Sequence, residues 1–262
     1  MKSLTATLWA EYLKIRRSKM LLITILIFIF IPFMMSLLFF VQKYPEIAGK
    51  LGMIGTKSNM LRLGKADWSN YFGLLTQGIA GIGLIGFGFV TSWVFGREYS
   101  DHTVKDILAL PVSRSFIVIS KFIIVVIWCV LLTFIFLVFG FIIGQLIGIS
   151  GWTHEIVTQC AYKFTLVSFL TILLSTPVAF FASYGRGYLL PMGFVILTLI
   201  MANFTGLVGL GPYFPWAIPG IFSAPAGTEG LILGIVSYII LLFTCILGLF
   251  GTLAWWRYAD QH

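Results

Sequence analysis

The chain has 262 residues, of which 59% are hydrophobic and only 10% are charged, with a net charge of +8. Soluble domains are about 45–50% apolar and about 25% charged, so a soluble fold of this size could not bury so much apolar surface. The positive charge indicates a nucleic acid partner only if the basic residues cluster, and here they are scattered between apolar runs. We therefore expect a membrane protein that binds no nucleic acid.

An amphipathic segment, residues 2–19, precedes the first apolar run. Its apolar residues recur at near-helical spacing: Leu4, Leu8, Tyr12 and Ile15. Glu11, Lys14 and Arg17 accompany them, and the two basic residues share another face. We predict an interfacial helix with its apolar side toward lipid and its basic side toward anionic headgroups. A basic tail that only directs membrane insertion is the alternative.

Six apolar segments are long enough to cross a bilayer, whose core needs roughly 20 helical residues. They are residues 20–41, 73–95, 122–144, 164–184, 188–210 and 231–254. The sequence thus predicts an all-α polytopic membrane protein in which residues 1–262 form a single transmembrane domain. Most Lys and Arg residues outside the spans fall on one side if both termini are cytoplasmic, which predicts that orientation.

None of the six predicted spans contains Asp, Glu, Lys, Arg or His. An ionisable group at the bilayer centre costs at least ~2.5–3.5 kcal/mol, so it is kept mainly where a mechanism needs it. The spans therefore argue against a proton-coupled carrier, and energy for uphill transport is expected to enter from outside the membrane. The larger polar side chains at depth are candidate pathway residues: Gln77, Gln145 and Asn203.

Glycines in the third span indicate close helix packing rather than chemistry. Gly140, Gly144 and Gly148 lie on one helix face, where they let another backbone approach closely. Contact with a neighbouring helix of the same chain is favoured, and a dimer seam is the alternative. No phosphate-binding loop and no nucleophile–base grouping occurs, so we predict no active site, no metal and no cofactor bound by this chain.

A compact polar stretch, residues 97–121, separates the second span from the third. Val104, Ile107, Leu108 and Pro111 fall at the spacing of one helical face, among charges of both signs. Mixed charges with a small apolar face suit docking into a groove on a partner protein. A self-contained cap on the cytoplasmic side is the alternative.

Several motifs resemble those of ABC exporter permeases of the second type, and in particular the bacterial bacitracin- and lantibiotic-type subgroup. The loop carries Glu98, Thr103, the run LALPVSR at residues 108–114, and Lys121. The spacing of Glu11, Lys14 and Arg17 resembles the connecting helix of that family, and residues 183–191 and 213–219 resemble the subgroup. The resemblance implies two permease copies, or one copy and a related permease, in the plasma membrane.

The resemblance also implies a separate ATP-binding cassette subunit, which would hold ATP and Mg and dock under residues 97–121. The residues expected to couple to it are Arg97, Glu98, Asp101, Thr103, Lys105, Leu108, Leu110, Pro111 and Arg114. The expected function is export of an amphipathic substrate, such as an antimicrobial peptide or a lipid-like molecule. A stand-alone carrier or channel and a membrane scaffold are the rival hypotheses, and membrane lipids are expected partners in each case.

Overall fold

The computed structural model describes residues 2–50, 66–104, 112–224 and 233–258. Within these ranges the chain is helical, and its one extended pairing is an isolated parallel bridge between Asp67 and Ser150. The prediction of an all-α protein is confirmed.

Ten α-helices and two short 3-10 turns make up the described chain. The helices before the fourth span are α1 (Lys2–Arg16), α2 (Lys19–Lys43), α3 (Pro45–Lys50), α4 (Trp68–Ser100) and α5 (Arg114–Ile147). They are followed by α6 (His154–Leu173), α7 (Thr176–Tyr184), α8 (Leu189–Val208), the turns Gly211–Tyr213 and Pro215–Ala217, α9 (Ile218–Ser223) and α10 (Ile235–Tyr258).

Six helical stretches are long and apolar enough to cross a membrane: α2, α4, α5, α6 with α7, α8, and α10. The six predicted spans are therefore confirmed. Among them α4 is the most buried, and α8 and α2 are the least buried. Large apolar side chains on the outer helices remain exposed, as lipid-facing helices require: Leu22, Phe30, Leu197, Phe204 and Phe250 among others.

The second and third spans are longer than their apolar runs. The α4 helix has 33 residues and begins after Asp67, which accepts a hydrogen bond from the Asn70 amide, while α5 has 34 residues and begins after Ser113. Hydropathy marks only the apolar part of a helix, whereas backbone hydrogen bonding continues into its polar ends. These polar ends lie beyond the predicted spans, and they contain ionisable residues: α4 includes Glu98 and α5 includes Lys121, both buried.

The fourth span is broken at residues 174–175. Pro177 lies in the first turn of α7, where its missing amide hydrogen costs nothing, so a new helix segment begins there. The Thr176 hydroxyl donates to the carbonyls of Leu173 and Cys245, at 2.9 and 3.0 Å. This bond ties α7 to α10, which pack closely because Gly248 faces the backbone of Pro177.

The glycines of α5 face α4 of the same chain. A Cβ atom at Gly140 would lie 2.8 Å from the Leu75 side chain, and one at Gly144 would lie 2.8 Å from Trp68 and Tyr71. Gly148 ends the helix in the left-handed conformation, with φ of 69°. Both inward-facing glycines thus adopt the first of the two predicted arrangements, packing within the chain.

Candidate functional site

The compact polar stretch connects α4 to α5 through residues 101–113, which we call the polar loop. Four charged side chains from three helices meet near its two ends, and we call them the charge cluster: Glu11, Lys14, Glu98 and Lys121. The Lys121 ammonium lies 2.7 Å from Glu98 and 3.4 Å from Glu11. The Lys14 ammonium lies 2.7 Å from Glu11 and 2.9 Å from Glu98. Lys121 also donates to the Val94 carbonyl at 3.0 Å. The charge cluster therefore joins α1, α4 and α5.

The charge cluster is almost closed to solvent. Lys121 is 1% exposed, Glu98 2% and Glu11 6%, while a third of the Lys14 side chain remains exposed. Two carboxylates balance two ammonium groups, as burial of charge requires. Removing one partner from such a buried group is costly because it leaves an uncompensated charge. The three helices are consequently bound to one another by electrostatics as well as by packing.

The approach of α1 to the bundle places Glu11 in the charge cluster. Glu11 and Lys14 are three residues apart and so lie on one face of α1. Ile15 is buried and Leu8 packs on the hydrophobic core, so this face meets the protein rather than lipid. The predicted contact of the apolar face with lipid stays a prediction: Leu8 and Ile15 pack on the bundle, whereas Tyr12 is 44% exposed.

Neighbouring charges decide the ionisation of the two α1 members of the charge cluster. Burial alone would raise the pKa of Glu11, but Lys121 and Lys14 outweigh it and hold that pKa below its ordinary value. Burial alone would lower the pKa of Lys14, but Glu98 and Glu11 outweigh it and raise that pKa. Both groups are therefore ionised at neutral pH.

The polar loop leaves α4 directly from the charge cluster. Asp101 follows the helix, and its carboxylate accepts a hydrogen bond from the Arg97 guanidinium at 3.1 Å. The Thr103 amide donates to the Glu98 carbonyl at 2.9 Å, and His102 between them has φ of 56°. The first residues of the loop are thus held by the backbone of the same residue whose side chain lies in the charge cluster.

The structure separates the predicted coupling residues by exposure. Arg97 and Asp101 are accessible, with side chains 32% and 51% exposed. Glu98 is buried and its carboxylate is paired with Lys14 and Lys121 inside the chain, while its expected contact with a partner stays a prediction. Four further coupling candidates lie outside the described residues: Lys105, Leu108, Leu110 and Pro111.

The loop re-enters the bundle beside the last helix. Arg114 is the first residue of α5, and its guanidinium donates to the carbonyls of Trp256 and Arg257, at 3.3 and 3.5 Å. Both acceptors lie in the last turn of α10, whose carbonyl end favours a cation. The predicted coupling residue Arg114 thus connects the third span to the sixth.

Two of the three candidate pathway residues come together. Gln77 and Asn203 line one cavity of about 600 Å³ between α4, α8 and the segment of turns that leads into α9, with Trp216 also on its wall. Asn203 uses its amide nitrogen to bond the Leu199 carbonyl at 2.9 Å. Gln145 is exposed near the end of α5 and does not line this cavity.

Lys121 was missed as a site residue, although its surroundings carry a signal. It sits at the border of the predicted third span, with the apolar run Phe116–Ile119 before it and Phe122 after it. A lysine enclosed by apolar residues on both sides requires a partner when the helix is buried.

The described ranges contain no group of three His, Cys, Asp or Glu side chains that could hold a metal ion.

Comparison with known proteins agrees with this geometry. The family described as ABC-2 family transporter protein matches residues 7–203, a range that includes every member of the charge cluster. The bacitracin transport permease protein BCRB of Bacillus licheniformis is 26% identical over 186 residues, which cover 69% of this chain and 86% of the relative. No solved structure matches the chain. With six apolar helices and a family match over more than half its length, this multi-pass plasma membrane protein belongs to the ABC-2 family of transporter proteins.

Proposed function

We propose that the chain is the permease subunit of an ATP-driven exporter, which works with separate ATP-binding subunits and a second permease. Both termini and residues 97–121 lie on the cytoplasmic side in this proposal. Family membership supports a transporter subunit, and the predicted spans offer no ionisable group near their centres to drive transport. ATP hydrolysis is thus assigned to the partner subunit.

The observation that carries the proposal is the charge cluster at the root of the loop. A force on residues 101–113 reaches the end of α4 and the beginning of α5. Glu98 and Lys121 lie at those two points, and both are paired with α1. Separating α4 or α5 would leave a buried charge uncompensated, which costs about 3–5 kcal/mol. The α1 helix carries one charge of each sign and is held by its ion pairs to both of the other helices. The helices are therefore expected to move together when a partner subunit displaces the loop.

The proposed substrate is an amphipathic molecule, such as an antimicrobial peptide or a lipid-like compound. The name of the Bacillus licheniformis relative refers to bacitracin transport. The cavity that contains Gln77 and Asn203 combines these polar side chains with a mostly apolar wall, which suits a molecule with both characters.

The test is reconstitution of the chain with an ATP-binding subunit of this family in proteoliposomes. We expect the chain to stimulate ATP hydrolysis and to support ATP-dependent movement of a labelled amphipathic peptide. Leu108→Asp should abolish the stimulation, because it places a charge on the predicted apolar face of the loop. Leu61→Asp, the same change in the predicted opposite loop, is the control.

The rival hypotheses give different results in the same vesicles. Movement of the peptide by the chain alone, without ATP, would support a stand-alone carrier or channel. Binding of the ATP-binding subunit without any movement of peptide would support a scaffold. Equal stimulation by the Leu108→Asp and Leu61→Asp variants would contradict docking through residues 97–121.

A further inference from the structure

A second polar cavity lies beside the charge cluster, and we call it the basic cavity. It measures about 530 Å³ and is enclosed by α1, the beginning of α2, the end of α4 and Tyr188. Four basic side chains line it, together with the carboxylate of Asp101: Lys14, Arg17, Lys19 and Arg97. The basic cavity is therefore a concentration of positive charge in an otherwise apolar bundle.

Two of these four cations are not neutralised by a carboxylate of the described chain. Lys14 is shared with the carboxylates of the charge cluster, and the Arg97 Nε atom is paired with Asp101. The Nη1 atom of Arg97 is buried and has no hydrogen-bond acceptor among the described residues. Arg17 and Lys19 form no ion pair with any residue that the structure describes. The charges of Arg17 and Lys19 are thus available for an anion in the basic cavity.

The beginning of α2 adds to the attraction for an anion. Ser18 caps this 25-residue helix by accepting a hydrogen bond from the Met20 amide, and both residues line the basic cavity. The amide groups at a helix N-terminus carry partial positive charge and bind phosphate and similar anions. The helix end and the unpaired cations consequently favour the same kind of ligand.

The remaining walls indicate a ligand that also has an apolar part. Leu13, Met20 and Trp93 line the basic cavity, and the Arg97 guanidinium stacks on the Trp93 ring at 4.9 Å. Two residues beyond Met20 the exposed apolar surface of α2 begins at Leu22, which is 61% exposed. The basic cavity thus lies where hydrocarbon meets headgroups, a position that a phospholipid occupies and a free ion does not require.

We propose that the basic cavity binds the phosphate of an anionic phospholipid from the leaflet on the α1 side of the membrane. Arg17 and Lys19 hold the phosphate, with the positive charge of Arg97 beside them, while Met20 and Trp93 contact the glycerol and the first acyl carbons. The bound headgroup lies beside Lys14, and so beside the charge cluster. The proposal concerns binding alone and does not depend on transport or on an ATP-binding partner.

The test measures lipid binding to the purified, delipidated full chain by native mass spectrometry. Phosphatidylglycerol is titrated against phosphatidylcholine, and the double variant Arg17→Gln/Lys19→Gln is compared with Arg16→Gln/Lys50→Gln. The control removes the same charge from exposed residues outside the basic cavity. We expect the first double variant to weaken phosphatidylglycerol binding about 30-fold and the control to leave it nearly unchanged, since each basic residue at such a site contributes about a factor of five.

Three outcomes would overturn the proposal. One is equal affinity for the two lipids, and another is an equal loss in both double variants, which would indicate general surface attraction. The third is displacement of phosphatidylglycerol by inorganic phosphate at constant ionic strength, which would assign the basic cavity to a free ion. Thermal unfolding serves as the folding check, and Lys19→Gln alone, with an expected loss of about five-fold, replaces the double variant if that unfolds.

Discussion

The ammonium group of Lys121 lies 2.7 Å from the carboxylate of Glu98, which precedes it by 23 residues, and both side chains are buried. The pair connects the end of one membrane helix with the beginning of the next, on the two sides of the polar loop. Lys14 and Glu11 of α1 form ion pairs with Glu98 and Lys121, so that one group of four charges connects three helices.

The first prediction concerns the coupling between Glu98 and Lys121. Lys121→Met or Glu98→Gln alone should destabilise the chain by about 3–5 kcal/mol, because each leaves an unbalanced charge in a buried site. The double variant should lose less than the sum of the two, since Glu11 and Lys14 remain as a balanced pair. The free energies of unfolding of the wild type, the two single variants and the double variant, measured in a fixed lipid–detergent mixture, form a double-mutant cycle that gives the coupling energy. Strictly additive losses would contradict the pairing, and Glu155→Gln, at an exposed site, is the matched control.

The second prediction concerns acid stability. The pKa of Glu11 lies below its ordinary value of 4.5 in the folded chain. Its contribution to the free energy of unfolding is therefore complete above that ordinary value and is lost as the pH falls through the lowered pKa. The unfolding temperature of the wild type should decrease between about pH 5 and about pH 3, and that of the Glu11→Gln variant should decrease less over the same interval. An identical acid dependence in both proteins would show that Glu11 does not stabilise the fold.

The third prediction concerns two helical glycines with opposite surroundings. A Cβ atom at Gly248 would lie 2.7 Å from the Pro177 Cα atom, and backbone cannot move aside as a side chain can. Gly248→Ala should therefore destabilise the chain by about 1–3 kcal/mol through overpacking. Gly193, within α8, has nothing within 4 Å of its Cβ position, and Gly193→Ala should be neutral or stabilise the helix. Thermal unfolding of the two variants checks the difference, and equal effects would be inconsistent with close α7–α10 packing.

The spans could be predicted because their signal is local. A run of roughly 20 apolar residues identifies a membrane helix without knowledge of its neighbours. The break in the fourth span also had a local signal in Pro177, which begins the new segment. The true lengths of α4 and α5 had none in hydropathy, since their ends carry the polar residues Asp67 and Ser113 as helix caps.

The charge cluster could not be predicted because its members are distant in the chain. Lys14 and Glu98 are separated by 84 residues, and no periodicity relates α1 to α4. Family resemblance identified Glu98 as a residue of interest but gave it an exposed role, because the sequence does not indicate which face of a helix end is buried. Lys121 showed the opposite problem, since hydropathy placed it just outside the apolar run of a helix that buries it completely.

The bonds from Arg114 to the carbonyls of Trp256 and Arg257 bring the exit of the polar loop to the C-terminal end of α10. A fluorophore attached at Tyr258 would therefore lie close in space to the end of the loop at Arg114, although more than a hundred residues separate the two along the chain. Such a reporter could follow events at the loop without any alteration of the loop itself.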